Sequence, residues 1–130
     1  MIFVDTNVFV YAVGRPHPLR DIARGFFADC VSKETPLCTS AEVVQELMHV
    51  YLSVARLETL DRALSFVTRA RVEVWPLESE DVTLARQLHE QYPALGARDL
   101  CHLASCRRRG VREVRTFDQA LGAVAGARAG

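Results

Sequence analysis

The stretch IFVDTNVFV, residues 2–10, decides how the rest of the chain is read. Ile2, Phe3 and Val4 are apolar and two of them are β-branched, which predicts a short buried strand. Asp5 ends that run. Val8 to Val13 then predicts a helix, and Gly14-Arg15-Pro16-His17-Pro18 breaks it, because proline restricts both its own φ and the residue before it. A carboxylate is thereby placed at the carboxyl end of a strand that belongs in the middle of a sheet. There it is partly desolvated and needs a partner, and no basic residue lies close by in sequence. N-capping of the following helix is the simpler role, and the position allows it.

Outward from this stretch, strand and helix signals alternate. Ile22, Ala23, Phe26, Phe27, Cys30 and Val31 recur at helical spacing, so Leu19 to Lys33 reads as an amphipathic helix. Pro36 to Thr39 is a second strand candidate. Thr39-Ser40-Ala41-Glu42 matches a capping box and opens a helix to about Val54. A helix over Leu57 to Ala70 precedes a strand over Val72 to Trp75 that Pro76 ends. Ser79 to Gln91 and Ala97 to Arg109 read as helices, with Gly110 closing the second. Val114 to Thr116 is a last short strand, and a short helix starts at Asp118. The pattern predicts one domain over residues 1–122, an α/β fold of three layers. A parallel sheet of about four strands is expected at its centre, with helices on both faces. Residues 123–130 are small and are expected to fray.

The whole chain excludes several classes. It has 130 residues, ordinary for one domain, with 49% hydrophobic and 25% charged residues, a globular balance rather than a disordered one. No apolar run approaches a membrane span, and the N-terminus lacks the basic leader of a signal peptide. Cys30, Cys38, Cys101 and Cys106 form no Cys-x-x-Cys pair. They read as reduced, buried thiols of a cytoplasmic protein rather than a zinc or redox site.

Formal net charge is zero, which taken whole argues against a nucleic-acid partner. Its distribution reads differently. With Asp5, Glu46, Asp99 and Asp118 set aside, 16 basic residues face 12 acidic ones, leaving +4. Arginines gather at Arg107, Arg108, Arg109, Arg112 and Arg115, and more loosely at Arg15, Arg20 and Arg24. Two explanations stand for the first cluster: phosphate binding by planar guanidinium forks, or solvated cations at a helix C-terminus.

Four acids occupy matching places. Asp5 ends the first strand, and Glu46 lies in the second turn of the helix after the second. Asp99 is in the first turn of its helix, and Asp118 lies just past the last strand. In an open parallel sheet these positions share the rim at the strands' carboxyl ends. Each has a simpler role as well: Asp118 as a helix cap, Asp99 as a helix-start acid, Glu46 as an ordinary helix residue. Glu42, one turn before Glu46, competes with it and is assigned to the capping box. Carboxylates that converge without bases repel one another, and a hard cation such as Mg²⁺ or Mn²⁺ relieves that cost through oxygen ligands. Such a site suits phosphodiester hydrolysis.

Four stretches carry a family resemblance: IFVDTNVFV at 2–10, TSAEVVQELM at 39–48, ARDLCHLASC at 97–106 and TFDQAL at 116–121. In this order and spacing they resemble the PIN-domain nucleases, most closely the VapC-type toxins of toxin–antitoxin pairs, over nearly the whole chain. The resemblance implies that Asp5, Glu46, Asp99 and Asp118 are the catalytic and metal-binding acids. It also implies that Asn7 and Thr116 support the metal or its water. It further implies an Mg²⁺- or Mn²⁺-dependent endoribonuclease acting on structured RNA such as transfer or ribosomal RNA. Homodimerisation and inhibition by a small antitoxin that obstructs the site come with it. Arg15, Arg20 and Arg98 are candidate RNA contacts. The near-neutral charge departs from what an RNA-binding surface leads one to expect.

Three rivals remain open on the sequence. A phosphatase of the HAD type needs a second aspartate where Asn7 stands. A di-iron carboxylate bundle would use Glu46-x-x-His49 and Asp99-x-x-His102, but the strand signals do not belong in a bundle. An inactive relative would serve only as a binding partner for an antitoxin.

Overall fold

The structure, a computed structural model, describes residues 1–124 and the backbone of 127–129. Its centre is a sheet of five parallel strands: β1 (Ile2–Val4), β2 (Leu37–Ser40), β3 (Glu73–Trp75), β4 (Glu113–Thr116) and β5 (Ala127–Ala129). The strand order is β3-β2-β1-β4-β5, so β1 lies in the middle with β2 on one side and β4 on the other. That is why Ile2, Phe3 and Val4 are all buried: a central parallel strand is covered on both faces.

Seven helices cover the sheet: α1 (Thr6–Val13), α2 (Pro18–Ser32), α3 (Ala41–Leu52), α4 (Leu57–Arg69), α5 (Ser79–Leu88), α6 (Ala97–Arg108) and the short α7 (Gln119–Gly122). Helices α1 to α4 pack together as one layer, and α5 pairs with α6. Phe9, Phe27 and Phe66 knit α1, α2 and α4, with ring centroids 4.7–6.4 Å apart. On the other face Phe3 meets His102 of α6. This is the three-layer arrangement that the sequence predicts.

Local chemistry sets the element ends. α1 starts at Asp5, whose Oδ1 accepts the Thr6 N–H at 2.8 Å. It stops at Gly14, where any Cβ would stand 2.9 Å from the Val10 carbonyl. α2 begins with Pro18 in its first turn, capped by His17, whose Nδ1 accepts the Leu19 N–H. The α3 cap corrects the sequence expectation by one residue. Ser40, not Thr39, accepts from the backbone three residues on, at Val43. Thr39 is spent inside the sheet, donating to the Val4 carbonyl at 2.7 Å, so Glu42 closes no capping box. A capping box does open α5, where the Asp81 carboxylate accepts the Glu78 N–H at 2.9 Å.

Towards the end of the chain Val124 is buried, and Ala127–Ala129 form β5 along β4. Alanine and arginine carry no strand signal. The pairing rests on the open backbone edge of β4, which needs no particular side chain. Residues 125, 126 and 130 lie outside those described. Among the described residues no helix is long and apolar enough to cross a membrane. All four cysteines are buried and unpaired, as expected.

The arginine cluster is largely spent within the fold. Arg108 and Arg109 of the α6 end reach the fully buried Asp81 at 2.6 and 3.3 Å. Arg109 also pairs with Glu78 and stacks on Trp75, while Arg107 covers Tyr92 and donates to its hydroxyl. Arg115 lies over Phe26. These contacts lock α5 to α6 and favour the structural explanation over phosphate binding. Asp81→Ala removes a cap and strands two guanidiniums, so it is expected to destabilise the domain by roughly 2–4 kcal/mol. Urea unfolding of the variant beside wild type measures this as a lower midpoint at unchanged slope.

Candidate active site

The strand order turns at β1 and β4: β2 and β3 extend one way from β1, and β4 and β5 the other. The carboxyl ends of β1 and β4 therefore flank the crevice where open parallel sheets hold ligands. The four expected acids line one pocket of about 400 Å³ there, together with Asn7, Tyr11 and Arg98. Strand, helix and loop each contribute: Asp5 from the end of β1, Glu46 from α3, Asp99 from α6, Asp118 from the turn after β4. Glu42 does not line this pocket. Its Oε1 is buried without a hydrogen-bond partner, and burial raises its carboxyl above the usual range. Glu46 is the better placed of the two.

Thr116 holds the centre of the site. Its hydroxyl donates to Asp5 Oδ2 at 2.7 Å and accepts the Asp118 N–H at 3.0 Å. One fully buried side chain thus fixes two acids that are 113 residues apart in the sequence. Asn7 does a parallel job from α1, its Oδ1 accepting the Phe117 N–H at 3.1 Å. Asp118 Oδ1 caps α7 through the Leu121 N–H. The simpler capping roles of Asp5 and Asp118 are therefore real and coexist with their places in the pocket. Each carboxylate oxygen accepts more than one bond, so capping leaves acceptor capacity.

Asp99 reports the crowding. Burial above all, and then the charges of Asp5 and Asp118 against the pull of Arg98, raise its carboxyl to about 6. Arg98 itself pairs with Glu46 at 2.6 Å across the mouth. Beneath Asp5 lies His102, almost wholly buried, with its Nε2 3.9 Å from Asp5 Oδ1. Burial pulls this imidazole down to about 4, so it is neutral at pH 7 and lends Asp5 no charge. Neither ring nitrogen has a hydrogen-bond partner. His49, the other histidine of the di-iron pattern, is exposed near the end of α3, and the parallel sheet excludes a bundle. Of the arginines, Arg15 is exposed, and Arg20 makes a long 3.5 Å bond to the Gly14 carbonyl.

Among the described residues no three carboxylate, imidazole or thiol groups stand close enough to grip a metal ion by themselves. The donor set is nonetheless oxygen throughout, and the mutual repulsion felt at Asp99 marks where positive charge is wanted. This fits a hard divalent cation that keeps part of its water shell and reaches the carboxylates through it.

The sequence profile of the PIN domain matches residues 2–127. The chain belongs to the PIN-domain family. Within it the chain is 57% identical over 121 residues to Ribonuclease VapC23 of Mycobacterium tuberculosis, covering 93% of this chain and 95% of that protein. That places this PIN domain among the VapC ribonucleases. Two solved structures share its fold at 17% identity. Mycobacterium tuberculosis VapC20, described as a sarcin-ricin loop cleaving toxin, superposes with a TM-score of 0.76, covering 95% of this chain and 94% of that one. VapBC2 from Rickettsia felis, bound to a DNA fragment from its promoter, gives 0.73 over 100% and 98%.

Sequence reasoning missed Tyr11 and the neutral His102 as neighbours of the acids. The spacing Asp99-x-x-His102 brings the histidine one helical turn on, and Phe3 and Asp5 share a strand face. Only the packing of α6 on that face joins the two facts.

Two expectations arise from this geometry. Thr116→Val keeps the shape but strips Asp5 of a donor and the Asp118 N–H of its acceptor. It is expected to lower any activity of the site by about 10–100-fold and stability by about 1–3 kcal/mol. Turnover and urea midpoints, measured on one preparation, read both. For Asp99, folding raises the carboxyl pKa, so the folded chain takes up a proton before the unfolded chain does. The destabilisation is present above about 6 and is relieved as pH falls through that value toward the ordinary carboxylate range. Metal-free wild type should therefore gain up to about 1 kcal/mol relative to Asp99→Asn between pH 7 and pH 5, allowing for solvent screening. Parallel urea titrations in EDTA at the two pH values measure that difference.

Proposed function

We propose that this protein is the toxin of a toxin–antitoxin pair, an endoribonuclease that acts in the cytoplasm on structured RNA. Its substrates on this reading are transfer or ribosomal RNA. The observation that carries the proposal is the meeting of Asp5, Glu46, Asp99 and Asp118 in one pocket, in a chain 57% identical to a VapC ribonuclease. The proposed cofactor is Mg²⁺ or Mn²⁺, held by Asp5, Asp99 and Asp118 with Glu46 completing the set. When bound, such an ion neutralises phosphate charge and makes water more acidic.

The chain's own groups have distinct tasks in this reading. Asp5 is fixed by Thr116 and by the first turn of α1, so it presents its oxygens without reorganisation. Glu46 orients the attacking water and accepts its proton. The water oxygen bonds to phosphorus, the bond to the 3′ oxygen breaks, and that oxygen leaves as a hydroxyl, with a 5′-phosphate on the other product. Arg98 exchanges its partner Glu46 for a phosphate oxygen as RNA enters. Arg15 and Arg20 extend the positive rim. Asn7 holds the turn that carries Phe117 and Asp118. A homodimer and a small antitoxin that obstructs the pocket complete the proposal. Complexes such as VapBC2 among the structures of like fold lend the partner support.

Purified protein freed of any bound partner is expected to cut RNA with Mg²⁺ or Mn²⁺ and to stop in EDTA. Asp5→Asn keeps the helix cap but loses the charge, and should cost more than about 100-fold in kcat/KM with the fold intact by circular dichroism. Cleavage that persists in EDTA would remove the metal from the scheme. Inactivity of wild type on total RNA with both ions supplied would leave only a partner-binding relative.

A further inference from the structure

Tyr11 stands where two cavities meet. It lines the acid pocket, and it also lines an adjoining cavity of about 540 Å³ bounded by Arg15, His17, Val50, Tyr51 and Arg56. Val10 and Val50 also line both, so the two cavities share a wall. Tyr11 does not stand alone. His17 lies against its ring at 5.0 Å between centroids, and Phe117 meets it edge-on at 5.4 Å, with planes 86° apart. The three rings come from α1, the cap of α2 and the turn between Thr116 and Asp118. That turn carries a site acid, and its Phe117 N–H is anchored on Asn7. The ring geometry is therefore held by the bonds that hold the acids.

Ordinary core packing accounts for part of this, since Tyr11 and Phe117 are half-buried. It does not account for the two arginines, Arg15 and Arg56, on an aromatic-walled cavity beside a carboxylate site, nor for the exposed ring face of His17, whose cap uses only its Nδ1. An aromatic face beside guanidinium groups is how proteins hold a nucleotide pulled out of its stack: the ring takes the base, the cation takes the phosphate.

We infer that the Tyr11 and His17 rings form a subsite that stacks one unpaired nucleobase next to the scissile phosphate, with Phe117 bracing Tyr11 edge-on and Arg15 and Arg56 holding the adjoining backbone. This rests on the ribonuclease reading. The subsite makes the enzyme select an RNA position whose neighbouring base is free to splay out, as in a loop or bulge.

The test first maps wild-type cuts by sequencing RNA ends, then moves to a synthetic oligoribonucleotide spanning one cut. Each nucleotide flanking the cut is replaced in turn by an abasic one. One position is expected to lose about tenfold to hundredfold in kcat/KM with wild type. Tyr11→Leu keeps an apolar side chain without a stacking face. It should show a similar loss on the intact oligonucleotide and little further loss on the abasic one, with its melting temperature retained. Tyr11→Phe should restore cleavage, and His17→Asn, which keeps a cap acceptor, should lose less than Tyr11→Leu. Equal losses for Tyr11→Leu on intact and abasic RNA would overturn the inference, because Tyr11 would then act through packing. So would wild-type cleavage by Tyr11→Leu, including the case where it escapes inhibition by a bound protein partner, which would make the cavity a protein-docking groove. If wild type cuts no RNA at all, the ribonuclease reading itself fails and the subsite fails with it.

Discussion

The hydroxyl of Thr116, shared between Asp5 and the Asp118 backbone, is the contact on which the site depends. It joins the ends of two adjacent parallel strands, and parallel strands are brought together only by the fold. Its worth as one hydrogen bond is modest, about 1 kcal/mol net. Its positional value is larger. It sits in a buried place where an unmet donor or acceptor is costly, so the geometry it sets has few alternatives. Asn7 repeats the device one layer out, binding the turn after β4 to the helix after β1.

Around that contact the molecule treats charge in two opposite ways. At the α5–α6 junction, the buried Asp81 receives two arginines and a backbone N–H, so its charge is satisfied internally. At the β1–β4 crevice the acids face one another, with Arg98 drawn off to Glu46 and a neutral His102 below. Burial first, and these neighbouring charges after it, raise Asp99. A fold that can pair a buried acid this thoroughly, yet leaves a second group unpaired at a ligand crevice, holds that charge in reserve for something that binds. Repulsion of this kind costs the empty protein stability and strengthens its hold on a cation.

Likeness at 17% identity to solved structures shows how little shared sequence the fold requires. On this shared fold the chain carries the ring cluster at Tyr11 and an arginine set largely consumed by intramolecular contacts.

Much of the fold was written locally. Apolar runs and helical periodicity mark all ten elements before α7 to within a few residues of where they form, and Asp118 announces α7. That Asp5, Glu46, Asp99 and Asp118 would share one rim could be read from their places at strand ends and in the first two turns of helices. What local signals left out depends on neighbours far away in sequence. The α3 cap shifted from Thr39 to Ser40 because the sheet claimed the Thr39 hydroxyl for Val4. β5 formed without strand-forming residues because β4 offered an open edge. The choice of Glu46 over Glu42, the consumption of Arg108 and Arg109 by Asp81, and the burial of His102 against Asp5 were likewise decided by packing. Periodicity determines which face of an element is apolar. Only the tertiary structure determines which polar groups meet, because their distances and solvent exposure do not exist until the layers close.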